Sequence, residues 1–241
     1  MHNPLDQFLI KPLFNIHLFG ADISFTNSSL VMIVIAISLS LSMIIVAKNL
    51  NVVPNKSQLV FEKIYSLVNK MLLDNAGPKA IKFFPLVFTT FLFILSCNIF
   101  GMLPFSFTVT SHVSVTLALA TFLFTLITLT GFIKHGWNFF SLFLPSGTPL
   151  WLAPLMILIE LAAYLTKPFS LALRLAANMT AGHVLLKVVA SFAVSMGVLF
   201  KVFPIAFITV LIGFELCISI LQSYIFAILT CVYISDAINL H

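Results

Sequence analysis

Charge is what this chain most lacks. Of its 241 residues, 8% are charged and 61% are hydrophobic, whereas a soluble domain carries about 25% charged residues. That shortage excludes a soluble globular domain and indicates an integral membrane protein with several spans. Cysteine is scarce as well. Cys97, Cys217 and Cys231 are odd in number, each lies in an apolar run, and their spacing matches no zinc pattern. Neither a disulfide framework nor a metal site is implied, and packing is the role expected of all three. No GxxxxGK[ST] phosphate loop and no nucleophile elbow occurs, so no intrinsic catalysis and no cofactor is expected. No cleavable signal peptide is visible, because the first long apolar run begins near Leu30, after a mixed leader with Asp6 and Asp22. The net charge of +5 comes mostly from lysines between the first two spans. It therefore reports orientation and implies no nucleic-acid partner.

Arginine is scarcest of all: Arg174 is the only one. Its guanidinium stays charged at any accessible pH, and holding it at the centre of a membrane helix costs roughly 2.5–3.5 kcal/mol on insertion scales. A chain with lysine at every other basic position uses arginine here for a permanent positive charge. The competing readings are that it snorkels to a headgroup or pairs with a carboxylate of its own chain.

The organisation expected is an all-α membrane domain of about five membrane helices and one interfacial helix. Residues 1–29 form an outer leader, with Asn27-Ser28-Ser29 able to cap the helix that follows. Span one covers residues 30–47. Residues 56–75 carry Leu59, Val60, Ile64, Leu67, Val68, Met71 and Leu72 as one helical stripe opposite Lys56, Lys63 and Lys70. That pattern fits a helix lying in the membrane interface, and fits equally a solvated helix packed on the protein. Spans two and three cover residues 84–103 and 113–133, and Pro145 to Pro149 form a turn. The first lysine-rich loop is expected inside and the amino terminus outside.

The last third holds an arginine helix, expected over 150–187, and a last helix, expected over 190–236. As one helix, residues 150–200 would be about 75 Å long, far more than a bilayer core of about 30 Å. The segment must tilt steeply, break or cross twice, with Pro168 and Gly182 marking possible bends. A tilted hairpin presenting a wide face to a partner is the expected form. Ser170, Arg174 and Asn178 share a stripe; Glu160 lies near it but about 21 Å away along the axis. His183 points to the other side. In the last helix Glu215, Ser219 and Gln222 form a second stripe, with Asp236 near the end.

On this topology Glu160 belongs to the inner half, Arg174 to mid-depth, and His183 with Glu215 to the outer half. A histidine and a carboxylate in a low-dielectric site suit a proton relay. Two clusters on opposite sides of a fixed charge suggest two half-paths with a barrier between them. Each residue also has a plainer reading: Glu160 and Asp236 snorkelling, His183 a hydrogen-bonded core residue, Asn178 and Gln222 interhelical glue. No carboxylate is placed by helical spacing to neutralise Arg174, so its counter-charge comes from another subunit or from Glu215 across the hairpin.

Leu171-Ala-Leu-Arg174-Leu-Ala-Ala-Asn178-Met-Thr-Ala-Gly182-His183, with Glu160 upstream and Glu215-Leu-Cys-Ile-Ser-Ile-Leu-Gln222 downstream, resembles subunit a of the rotary F-type ATP synthase, subunit 6 in mitochondria. The resemblance covers essentially the whole chain, including Val53-Pro54 and Asn98-Ile-Phe-Gly-Met-Leu-Pro104. It implies a non-catalytic stator subunit against a rotating ring of small hairpin subunits (subunit c) that carry membrane carboxylates. A peripheral-stalk subunit b and membrane lipid are the other partners implied, in a mitochondrial or bacterial inner membrane. Arg174 would hold the deprotonated ring carboxylate and block leakage between half-channels. His183 and Glu215 would form the outer relay, Asn178 and Gln222 would be polar groups near the arginine, and Glu160 would line the inner exit. Many bacterial members exchange the residue types at the His183 and Glu215 positions. Some carry an acid where this chain has Gly101. The alternative from another class is a proton-coupled secondary transporter with an anion-binding arginine. It would favour an inverted repeat and broken helices, and no internal repeat is visible here.

Overall fold

The computed structural model describes residues 10, 12–14, 17–18, 21–22, 24–48, 50–103, 106–137, 139, 151–195 and 202–238. The expected turn at residues 145–149, most of residues 1–23, and the segment 196–201 lie outside them. The described chain is overwhelmingly helical, and the class expected from composition holds. Six α-helices follow in order: α1 Asn27–Lys48, α2 Lys56–Ala76, α3 Phe84–Gly101, α4 Val113–His135, α5 Ala153–Ser195 and α6 Val202–Ile238. Five of them, all but α2, are long and apolar enough to cross a membrane. Ahead of α1, β1 Pro12–Phe14 pairs antiparallel with β4 Phe25–Thr26, and β2 His17–Leu18 with β3 Ala21–Asp22.

Local chemistry explains most of the boundaries. The Thr26 hydroxyl accepts from the Ser29 amide at 3.4 Å, so the cap of α1 is Thr26, one residue before the expected Asn27-Ser28-Ser29. A side-chain oxygen reaches the third amide of a helix only from the residue preceding its first turn. Gly77 ends α2 at φ 75°, donating its amide to the Leu73 carbonyl at 3.1 Å. Only glycine takes that backbone conformation freely, and Pro78 then starts a 3-10 turn. Gln58 ties the start of α2 to the preceding loop through both the amide and the carbonyl of Asn51.

One expectation about the last third is corrected. The break placed between residues 187 and 190 is absent: α5 continues to Ser195 and α6 begins at Val202. Residues 188–190 are Val-Val-Ala, which hold no helix breaker, whereas Pro204 sits in the first turn of α6, where its missing N–H costs no hydrogen bond. α5 passes Pro168 and Gly182 as one helix of 43 residues. At 1.5 Å per residue it is about 65 Å long, so it cannot stand upright within a hydrocarbon core of about 30 Å.

The chain divides into two compact units. Unit 1 combines Met1–Leu50, Leu92–Val115 and Leu175–Ser223; unit 2 combines Asn51–Phe91, Thr116–Arg174 and Tyr224–His241. In unit 1 the buried side chains include Ile94, Val109, Leu175 and Met179. In unit 2 they include Val68, Leu72, Val87, Phe226 and Ile234, flanked by a Tyr65–Phe84–Phe88 aromatic cluster. The apolar stripe of α2 is only half used. Val68, Met71 and Leu72 are buried, while Leu59, Val60 and Leu67 stay exposed. Cys97 and Cys231 are buried as expected of packing residues, but Cys217 is exposed. It shares α6 with a stripe of polar residues that takes the buried face instead.

Candidate functional site

In unit 1 the second half of α5 runs antiparallel to the first half of α6, and their polar residues meet in pairs. Asn178 donates its side-chain amide to the Gln222 carbonyl oxygen at 3.1 Å. One and a half turns on, His183 Nδ1 lies 3.6 Å from Glu215 Oε1, with the two side chains 9% and 7% exposed. Seven residues separate Glu215 from Gln222, so both fall on one helix face, with Ser219 between them. The same face is met by Asn98 of α3, which donates to the Ser219 carbonyl at 3.3 Å and the Ser223 hydroxyl at 3.1 Å.

This buried face is incompletely satisfied. Both Glu215 oxygens, Ser219 Oγ, Gln222 Nε2 and Asn98 Oδ1 have no hydrogen-bond partner among the described residues. Unpaired buried polar atoms are costly and rare, and where they cluster they mark a functional region. A cavity of about 210 Å³, lined by Asn178, Gly182, Leu211, Phe214 and Glu215 among others, opens beside them. Gly182 is what admits the carboxylate: a Cβ there would lie 2.6 Å from Glu215 Oε1. Its part at this site is therefore close approach.

The fourth side of this site was missed by sequence reading. His183 Nε2 is 3.1 Å from the hydroxyl of Thr108, a buried residue in the short segment between α3 and α4. Nothing in the composition of that segment distinguishes Thr108 from Thr110 or Ser111. His112, on the same segment, stacks on Phe107 with ring centroids 5.1 Å apart. Burial lowers its pKa below the usual 6.5, because water stabilises the charged imidazole better than the protein does.

Unit 2 holds Arg174 and Glu160. Arg174 is exposed on α5, beside a groove of about 370 Å³ that Lys167, Ser170 and Tyr233 also line. Within its unit no carboxylate lies within 4.0 Å of it among the described residues. Asp236, an acid of the same unit, is already engaged: Lys167 Nζ donates to its Oδ2 at 3.1 Å. Asp236 is thus half of an ion pair, at the surface of its unit. The Lys167 ammonium also sits 5.4 Å from the ring centres of both Tyr164 and Tyr233, a cation–π clamp. Sequence reading overlooked Lys167, although its place seven residues before Arg174 puts it on the same stripe. Glu160 is half-buried, with no ion pair among the described residues. Glu215, the other suggested counter-charge for Arg174, belongs to unit 1, where it faces His183.

The family model described as the ATP synthase A chain matches residues 28–235, nearly the whole chain, with Glu160, Arg174, His183 and Glu215 among them. The chain belongs to the ATP synthase A chain family. It is a non-catalytic membrane-sector subunit of ATP synthase, in an energy-coupling membrane, and the subunit c ring is its partner. As an ATP synthase A chain it meets the resemblance seen in its sequence, with the five membrane-capable helices such a subunit needs.

Proposed function

We infer that this ATP synthase A chain is the proton-translocating stator, offering two half-channels to the carboxylates of the rotating ring and separating them at Arg174. The observation that carries the reading is an exposed, permanently charged Arg174 with no carboxylate within 4.0 Å among the described residues of its own unit. A fixed cation in a low-dielectric setting attracts an anion strongly. A ring of passing carboxylates supplies one repeatedly without holding any of them.

His183 and Glu215 are the relay of the half-channel from the outer side. The unpaired Glu215, Ser219 and Gln222 atoms give water a lining it can hydrogen-bond, since a buried water needs several polar partners. Asn178 and Gln222 carry the polar face towards the arginine, and Glu160 lines the inner exit. The lipid membrane and a peripheral-stalk subunit b complete the partners.

The test is Arg174→Ala in the assembled complex. Loss of ATP synthesis and of ATP-driven proton pumping, with the subunit still inserted, is the expected result; retained coupled synthesis refutes the barrier. Single cysteines at Leu173 and Ala177, both exposed beside Arg174, should cross-link to subunit c.

A further inference from the structure

We propose that Thr108 locks His183 as the Nε2–H tautomer, so that this histidine takes up and returns a proton only at Nδ1, the nitrogen facing Glu215. The proposal rests on the half-channel reading above and assigns Thr108 as a positioning residue within it.

A count of hydrogens fixes the tautomer. A threonine hydroxyl has one to give. Thr108 Oγ1 lies 3.1 Å from the Gly101 carbonyl oxygen and 3.1 Å from His183 Nε2. A carbonyl has no hydrogen, so the contact to Gly101 uses the hydroxyl's own. The opposite arrangement would set two oxygen lone pairs against each other at that distance in a buried site. The hydroxyl therefore accepts from the ring, Nε2 carries the hydrogen, and in the neutral imidazole Nδ1 holds the lone pair.

Nδ1 is the atom 3.6 Å from Glu215 Oε1. That is just beyond hydrogen-bond length, so a small movement of either side chain closes it. A bare Nδ1 facing a bare carboxylate is repulsive, and one shared proton makes the pair attractive. Either Glu215 carries it as Oε1–H, or His183 carries it as Nδ1–H beside a carboxylate. Transfer breaks the O–H bond, forms the N–H bond, and leaves carboxylate and imidazolium; the reverse step restores both neutral groups. The Nε2 hydrogen stays on the ring throughout, donated to Thr108 Oγ1. The ring therefore does not hand a proton from one nitrogen to the other, and it offers no leak toward the α3–α4 segment.

The surroundings are built to hold this geometry. A Cβ on Gly101 would lie 2.7 Å from Thr108 Cγ2, so glycine at 101 lets the hydroxyl reach the carbonyl. Ser111 Oγ donates to the Thr108 carbonyl at 2.7 Å, and Thr180 Oγ1 of α5 donates to the Ser111 carbonyl at 3.1 Å. The turn that carries Thr108 is thereby fastened to α5 three residues before His183. Among the described residues, the ionisable groups that act on the ring are Glu215 on α6 and Lys187 one turn further along α5; His112 lies on the same segment as Thr108.

The experiment uses the intact ATP synthase with Thr108→Val, which keeps the shape without the hydroxyl, and Thr108→Ser, which keeps the hydroxyl. Coupled ATP synthesis and ATP-driven proton pumping are followed across the pH range. Thr108→Val is expected to lower the coupled rate roughly tenfold, the value of one hydrogen bond to a charged group, and to displace the pH profile. Thr108→Ser restores both. A wild-type rate and profile in Thr108→Val, or a serine variant as impaired as the valine, overturns the proposal. Should the valine variant fail to assemble, nitrogen-15 NMR of His183 in the unaltered complex decides, with an Nδ1–H neutral tautomer as the refuting result. His183→Ala separates the two levels. If it leaves coupling intact, the half-channel reading itself fails; if it abolishes coupling while Thr108→Val is unimpaired, only the tautomer lock fails.

Discussion

Gly182→Ala separates packing from proton transfer at the site. The new methyl would lie 2.6 Å from Glu215 Oε1, 3.0 Å from Cδ and 3.2 Å from Cγ, where ordinary contact begins near 3.4 Å. The deficit of about 0.8 Å falls on the end of a flexible side chain, so the carboxylate moves and the helices stay. Overpacking of this kind costs about 1–3 kcal/mol. Replacing a mid-helix glycine by alanine returns about 1 kcal/mol in helix propensity. The net cost is then about 0–2 kcal/mol, at the low end because the carboxylate can move, and the complex should still assemble. Function should not survive so well. The Nδ1–Oε1 distance is 3.6 Å before the change, and a misplacement on the order of 1 Å at a reacting pair can cost about a hundredfold. The assay is ATP-driven proton pumping in membrane vesicles, normalised to assembled complex on native gels. A loss of about tenfold or more at normal assembly is the expected outcome. Normal pumping would show that Glu215 need not sit where Gly182 allows it, and the reasoning would fail.

Other predictions follow from the same contacts. Exchanging His183 and Glu215 should retain more coupled synthesis than replacing either alone; a double exchange no better than the single changes would show that the two do not act as a pair. Asp236→Asn leaves Lys167 without its carboxylate and should reduce subunit stability by about 1 kcal/mol, since the pair is partly exposed. Lys167→Met combined with Asp236→Leu should be nearly neutral in the same thermal-shift measurement. His112 should make the subunit less stable in mild acid. Its folded pKa lies below the unfolded value near 6.5, so the unfolded chain binds more protons between the two. Stability is then complete above 6.5 and is lost as pH falls below it. In His112→Gln that part of the pH slope in thermal unfolding should vanish.

The spans were legible because a membrane helix is written in local terms, a run of about 20 apolar residues. Hydropathy marked α1, α3 and α4 to within a few residues of the ends seen in the structure. The division between α5 and α6 was not legible, because residues 150–200 are apolar on both sides of any boundary. Of the site, His183 and Glu215 were found because an ionisable group in an apolar run stands out. Lys167 was passed over because its partner, Asp236, lies 69 residues away. Thr108 was passed over because a threonine in a connecting segment is ordinary by every local measure.

From its sequence alone, then, the protein is a multi-span membrane subunit with one fixed cation and a few membrane-embedded acids, spaced along two long helices. These follow from the cost of charge and backbone in hydrocarbon, which each segment meets separately. Tertiary structure alone decided which of those groups touch. The antiparallel register of α5 and α6 puts His183 beside Glu215 and Lys167 beside Asp236, each pair within its own unit. That register is set by side-chain packing and close approach, as at Gly182. Such contacts depend on volume and shape across the fold, and no periodicity within one helix encodes them.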